Sequence, residues 1–475
     1  MTTLCKVVVS LATALVVLQA FAGEKSAERV DISGHVALQA GQVVFGHFQG
    51  EAIDHRWRES AFANIAASVE MAQWLHVFFA IEGEMWFPFY QDGSKPLTQR
   101  AYYLAYLDRA EGVFSLEWPR ARLDIGIGYD SLKYNPESRN LGEYLFRSDP
   151  YPPYVLTSFD RPYAHLLGLH VKSTLFGLLN QHVLVSSSTD HFPLFDFAIS
   201  WLADITAAGV LHLGVGVSID HAIPVDDSAS NDFPVQVVDA NNDTLRDTLT
   251  FRGTKLMARA CFDPKPFFST DFFKDEDLKL YTELAVLGVR NYAKYYDTLW
   301  QRIPLMVGLN VPAHPFVSYG FLTGLQIWDL AAGRLWEGVD IPSNWVAAVV
   351  FSGTGALTWA LNRITGLDFG LDIVSAEVEW WASPYPNTIK HVAKYNQPYP
   401  IVPPDPVPEG KVDYGKDNWK WSLYLRKDIS RFSLIGQVAN DHTRYRSLDE
   451  DDEDYEQTMA AAGDWYYMLK LKFSF

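Results

Sequence analysis

Cysteine is almost absent: the 475 residues include only Cys5 and Cys261. A disulfide framework is therefore excluded as the source of stability. Uninterrupted runs of about 18 apolar residues are missing beyond the N-terminal stretch, which argues against a polytopic helical membrane protein. Positive charge is in deficit, with 39 Lys and Arg against 57 Asp and Glu. A net charge of −18 and a pI near 5.1 argue against nucleic acid as a partner, because phosphate binding needs a basic surface. Disorder is excluded by a composition that is 48% hydrophobic and 14% aromatic. The mean hydropathy is nevertheless −0.05, so these apolar residues are not gathered into one dense core segment.

The N-terminus carries a targeting pattern. Lys6 is followed by the apolar run Val7 to Ala20 and then by Ala20-Phe21-Ala22, an A-x-A cleavage signature. Residues 1–22 read as a secretory signal, leaving residues 23–475 as one domain with Cys261 as its one cysteine.

The body has a period of two. From Trp465 to Phe475 the odd positions are Trp, Tyr, Leu, Leu, Phe and Phe, while the even positions include Lys470, Lys472 and Ser474. Strand side chains alternate faces, so one face is apolar and the other mostly polar. The same alternation runs through Leu211–Ile219, Phe195–Trp201, Trp419–Leu425 and Ile303–Val311. Segments of this kind, about ten residues long and separated by turn residues, suit strands that face lipid on one side and water on the other.

A signal segment, alternating strands and a terminal amphipathic strand ending in Phe475 resemble Gram-negative outer-membrane β-barrels of the porin type. The resemblance implies an all-β, antiparallel, up-and-down transmembrane barrel in the outer membrane, acting as a passive channel for small hydrophilic solutes. It further implies contact with outer-membrane lipid and lipopolysaccharide, recognition of the last strand by the barrel-assembly machinery, and a possible homotrimer. A substrate-specific channel for oligosaccharide or polysaccharide is one alternative. An adhesin or structural barrel with a blocked lumen is another.

Eighteen strands are expected, at 31–42, 62–70, 74–87, 100–118, 121–131, 164–173, 180–188, 194–204, 208–220, 252–262, 278–291, 302–311, 315–328, 344–360, 366–381, 418–428, 431–441 and 464–475. Sixteen is the alternative count. Two places are irregular: Asp108–Gly112 reads as a potential turn, and the phase slips between Leu371 and Trp380. Gaps after the even strands are mostly short, the stretch from Phe262 to Asp277 being an exception, and gaps after the odd strands are mostly long, as for periplasmic turns and extracellular loops.

By parity the inward acids include Glu82, Glu84, Glu111, Glu117, Asp124, Glu283, Glu377 and Glu379. The inward bases include Arg109, Arg122, Lys255, Arg259, Arg302, Lys420, Arg426, Lys470 and Lys472. The plain expectation is that they are wall residues paired across strands. A sharper one sets acids on the early strands against bases on the late ones, giving a transverse field. Loop 132–163 mixes Arg139, Glu143, Arg147 and Asp149 with Tyr144, Tyr151 and Tyr154, stiffened by Pro150, Pro152 and Pro153. The resemblance makes it the candidate constriction loop. The acidic run at 449–456 reads as a solvated loop without the spacing of a calcium site. No H-E-x-x-H, G-x-S-x-G or P-loop motif occurs, so neither enzyme activity nor a metal or cofactor is expected.

Overall fold

The computed structural model describes residues 29–48, 51–52, 54–55, 57–87, 102–146, 164–187, 197–223, 232–238, 244–250, 253–268, 272–289, 299–332, 341–380, 419–440, 444–446, 455–457 and 464–475. Residues 1–22, where a signal was expected, and Arg147, Asp149, Tyr151 and Tyr154 lie outside the described residues, as do 381–418 and most of the acidic run.

Sixteen antiparallel strands close into one barrel. They are β1 (Arg29–Phe45), β2 (Trp57–Ala72), β3 (Leu75–Phe87), β4 (Tyr102–Trp118), β5 (Ala121–Leu132), β6 (Ala164–Leu175), β7 (Leu179–Ser187) and β8 (Phe197–Ala207), followed by β9 (Leu211–Ile223), β10 (Gly253–Phe262), β11 (Leu280–Val286), β12 (Leu305–Val311), β13 (Ile373–Trp380), β14 (Trp419–Ile429), β15 (Phe432–Ala439) and β16 (Trp465–Ser474). Each pairs with its chain neighbours, and β16 pairs with β1 to close the ring, with Leu471 opposite Leu38. Beyond that register Phe475 and Gly34 exchange two backbone hydrogen bonds of 3.0 and 3.1 Å. Closure leaves no unpaired edge, the one arrangement by which strands cross lipid with their backbone satisfied.

Two of the eighteen expected strands are not strands. Residues 315–328 lie in helix α1 (Pro315–Ala332), and residues 344–360 lie in helix α2 (Ile341–Thr365). Both form an insertion between β12 and β13. In the first segment the alternation is of large against small residues, Ser318, Gly320 and Gly324, which a helix accommodates equally well. Pro315 opens α1, where a proline's fixed φ and missing N–H cost nothing. At 25 residues α2 is far longer than a normal strand. The suspected turn at Asp108 is a bulge in a continuous β4: Ala80 pairs with Arg109 and Ile81 with Leu107, leaving Asp108 as the extra residue. The phase slip after Leu371 falls ahead of β13, which starts at Ile373 and pairs regularly.

The outer face is apolar. Val36, Leu38, Leu213, Val215, Val307, Leu309, Leu469 and Leu471 are all exposed. Aromatic rings border this band at both ends. At the long-loop end Trp380 packs beside Trp300 and Trp419, and Trp57 meets Tyr467 edge-on. At the short-turn end Trp74 stacks on Phe114, and Trp118, Phe176, Phe267, Phe432 and Phe475 are exposed. Trp328 belongs to α1 rather than to either border.

The base of the helical insertion is clamped to the short-turn end. Lys274 Nζ donates to Asp368 at 2.7 Å, to Asp372 at 2.6 Å and to the Leu371 carbonyl at 3.1 Å. Lys427 adds a 3.3 Å ion pair to Asp372. Burial, the largest single influence, favours the neutral forms of Asp368 and Asp372, but the hydrogen bond from Lys274, a backbone N–H donor to each and the charges of Lys274 and Lys427 together outweigh it and hold both carboxyls below their usual range.

Candidate functional site

The lumen is crossed by the segment that follows β5. Residues 133–146 leave the end of β5 and turn inward, and Tyr134, Asn135, Ser138, Asn140, Leu141, Glu143, Tyr144 and Leu145 are buried. Their partners lie on β11 and β13, the latter eight places away around the ring of sixteen, on the opposite wall.

Three wall carboxylates receive the segment. Glu283 of β11 accepts from the Tyr134 hydroxyl at 2.5 Å, Asn135 Nδ2 at 2.7 Å, the Tyr144 N–H at 2.8 Å and the Glu143 N–H at 3.0 Å. Glu377 of β13 accepts the N–H groups of Arg139 at 2.5 Å and of Asn140 and Leu141 at 2.9 Å each. Tyr281 also donates to Glu377 at 2.9 Å, its ring lying over Gly308 where a side chain would collide. Glu379 takes the Tyr144 hydroxyl at 2.7 Å. A segment without helix or strand leaves its N–H groups unpaired, and buried unpaired donors are costly. Carboxylates projecting from the wall satisfy them with charge-assisted bonds.

Apolar contact completes the docking. Leu141, Tyr144 and Leu145 form a buried cluster with Leu184, Leu202, Met257 and Met306 from the inner wall. Gly216 leaves the space that Leu145 enters: a Cβ there would lie 3.0 Å from it. At the rim of the segment Arg259 bridges Glu137 at 3.3 Å and Asp204 at 2.5 Å, and Arg139 pairs with Glu276.

Inside the segment Glu143 folds back on its own backbone, accepting from the N–H of Asn135 at 2.7 Å and of Tyr134 at 3.3 Å. Burial, with the Glu283 carboxyl beside it, pushes the Glu143 carboxyl up to about 8. Burial, and then the same two acids, raise Tyr134 well above the ordinary phenol range, so its hydroxyl stays a donor.

The remaining wall residues fall into three groups. Lys255, Lys420 and Lys470 are buried, Lys420 standing opposite Glu379 in the β13–β14 register. Glu82 is buried as well and accepts from Asn64 Nδ2 at 3.4 Å. Arg122, Glu117 and Asp124 gather near the turn between β4 and β5; there Arg122 is half-exposed and pairs with both acids, at 3.2 and 2.9 Å. Arg426 pairs locally with Asp428 at 2.9 Å, and Lys472 is partly exposed. Glu84 lies on β3, opposite Phe62 of β2. Arg302 is not a strand residue: it closes a short 3-10 turn before β12 and donates to the Gly288 carbonyl at 3.3 Å. Of the predicted wall residues, Glu283, Glu377, Glu379 and Arg259 are the ones that make the polar contacts to the docked segment described above.

One wall cluster has metal-ligand chemistry. Single ligand atoms of Glu111, Asp130 and His170 lie within 4.8 Å of one another around a small cavity that Gly128, Gly168 and Ser186 also line. A cation is already present: Arg109 donates to Glu111 at 2.6 Å and lies 3.1 Å from Asp130. His170 is occupied on both ring nitrogens, by Asp130 at 3.3 Å and His182 at 2.9 Å. The cluster is internally paired.

No family model and no curated protein matches the chain. Among solved structures it is similar to a mutant of the Rhodopseudomonas blastica porin, at 9% identity and a TM-score of 0.38 over 94% of this chain and 100% of that one. It is also similar to OprB of Pseudomonas putida, at 11% identity and a TM-score of 0.46 over 94% of each chain.

Proposed function

We propose that this chain is a porin: an outer-membrane barrel through which small hydrophilic solutes diffuse, narrowed by residues 133–146. The observation that carries the reading is the docking of that segment on the opposite wall within a closed barrel whose outer face is apolar. Nothing in a soluble sheet favours an exposed apolar band between two aromatic borders, whereas lipid does. Solutes would be filtered by the width left beside the segment and by the wall charges that remain in contact with water.

A specific observation favours a second reading, an occluded barrel with a structural or adhesive role. Inward-facing Gln39, Glu377, Glu379, Lys420 and Lys470 are each at most 5% exposed. Side chains lining an open aqueous channel would be wetter than this.

Planar-bilayer recording separates the two. The channel reading expects discrete ohmic steps from the intact protein and larger steps from a variant lacking residues 136–145. Steps from the deletion variant alone would establish the occluded barrel. Silence from both would overturn the channel.

A further inference from the structure

The helices α1 and α2 are built inside out for water. Their mutual interface is small and polar: Ser318 and Thr358 are buried there with Leu322 and Ala348, and Thr323 Oγ1 meets Ser352 Oγ at 3.1 Å. Gly355 sits against Tyr319, where a Cβ would come within 2.8 Å of that side chain. The large apolar side chains point away from the pair. Val317, Ile327, Trp345, Val346, Val349, Val350 and Leu357 are all exposed. An amphipathic helical pair in water does the reverse, burying its apolar stripe. Close contacts through small and hydroxyl residues, with large apolar residues outside, are how helices pack in lipid.

Charge follows the same pattern. Residues 316–328 and 345–362 contain no Asp, Glu, Lys, Arg or His. The charges flank them: Asp329, Arg334, Glu337 and Asp340 lie between the two stretches, and Arg363 and Asp368 follow the second. At about 1.5 Å per residue α1 and α2 extend roughly 27 and 37 Å, close to the ~30 Å hydrocarbon thickness of a bilayer. Residues 345–365 alone are long and apolar enough to span one. The pair also starts at the level of the aromatic border. Phe316 packs against Trp359 and His314, and His314 stacks on Phe272 at 4.7 Å. The apolar surface of the helices therefore begins beside the aromatic border of the barrel wall.

We propose that the α1–α2 pair is embedded in the acyl-chain region of the bilayer that holds the barrel, as a helical lipid anchor inserted between β12 and β13. This rests on the reading of the barrel as a membrane channel. The occupant of the exposed helical face is phospholipid rather than a protein partner, because residues 316–328 and 345–362 carry no charge and large apolar side chains dominate that face.

The test uses the full chain with Cys5→Ala and Cys261→Ala, reconstituted in phosphatidylcholine vesicles and labelled at one introduced cysteine with an environment-sensitive fluorophore. Val349→Cys and Leu357→Cys report on α2. Leu471→Cys, on the outer face of β16, reports on the barrel wall, and Arg431→Cys, in an exposed turn, reports on water. The expected result is that labels at 349 and 357 behave like the label at 471: quenched by acyl-brominated lipid and insensitive to iodide, the reverse of 431. Iodide quenching at 349 and 357, with 471 still quenched by lipid, overturns the anchor and leaves the membrane barrel standing. Iodide quenching at 471 as well would sink the membrane reading itself. Protection of 349 and 357 from both quenchers, with bis-maleimide cross-linking between copies, would overturn lipid in favour of a second copy of the chain.

Discussion

The backbone N–H of Leu141 donates to Glu377 Oε2 at 2.9 Å, joining residues 236 positions apart across the width of the barrel. Glu377 accepts two further backbone donors from the same segment, so its side chain replaces the hydrogen-bond partners that a strand would supply. Replacing it with alanine leaves three buried N–H groups unmet. Hydrogen bonds to a charged group contribute about 1.5–3 kcal/mol each, and buried unsatisfied donors add to the loss. Glu377→Ala is expected to release the segment, raising single-channel conductance and its noise. The heat-modified gel transition should persist, since the strand ladder is unchanged. Unaltered conductance with an unaltered transition would show that Glu377 does not hold the segment.

Glu143 gives the docking a pH dependence with a definite sign. Its carboxyl is raised from 4.5 to about 8 by burial and by Glu283. The docked state therefore retains a proton that the undocked state gives up above pH 4.5. The stabilisation is complete below about 4.5, falls by up to about 1.4 kcal/mol per unit, and is lost as the pH passes 8. Conductance is expected to rise between pH 4.5 and about 8. Glu143→Gln keeps an acceptor for the Asn135 N–H and carries no charge, so its conductance should stay flat over that range. An identical rise in the variant would place the titration elsewhere.

Gly142 tests the segment by shape alone. Its φ is +86°, and a Cβ would come within 2.8 Å of Met306 Cε and 3.1 Å of Glu283 Oε2. An L-residue in this left-handed region costs about 1–2 kcal/mol. Gly142→Ala is expected to weaken docking without touching a hydrogen-bonding side chain. Protease sensitivity confined to residues 133–146, with an intact barrel on gels, is the outcome to look for.

The barrel was legible in the sequence because lipid imposes a strict rule on every strand. Val36 and Leu38, Leu213 and Val215, and Leu469 and Leu471 had to alternate with polar residues, and that alternation needs no knowledge of neighbours. The helices misled for the same reason. Where lipid surrounds a helix, apolar residues appear all round it, and the glycines and serines of its packed face mimic an alternating strand. The destination of the inward segment was not legible. Glu283, Glu377 and Glu379 are correctly inward by parity, yet parity cannot distinguish a carboxylate wetted by the lumen from one that receives a loop rooted eight strands away. Residues 133–146 carry no period at all, because their order comes from the wall they dock on.

The clamp at the base of the helices should fail in acid. Asp368 and Asp372 are held below their usual range by Lys274, against the opposing effect of burial. Their contribution is present above the ordinary value of 3.8 and is lost as the pH falls through their lower folded values. Lys274 is about one-third exposed, so the clamp contributes modestly, on the order of 1 kcal/mol. Lys274→Met is expected to speed proteolysis between 366 and 372 at neutral pH and to leave the strand ladder and conductance unchanged. A conductance change would tie the helices to the pore.

Ion selectivity separates the wetted wall charges from the buried ones. Arg122 retains 51% of its side-chain surface, whereas Lys420 is 1% exposed and faces Glu379 across β13 and β14. A charge in contact with the permeating ions acts through water over about 10 Å at 0.1 M salt, while a buried, compensated one presents almost no net field to them. Arg122→Gln should shift the reversal potential in a salt gradient towards cation preference. Lys420→Gln should leave that potential nearly unchanged and lower the unfolding temperature instead, since it removes the charge that stands opposite the buried Glu379, and leaving a buried charge uncompensated costs about 3–5 kcal/mol. The opposite pattern, with selectivity following Lys420 and stability following Arg122, would mean that the permeation path runs along β13 and β14 and that the late-strand bases set the transverse field.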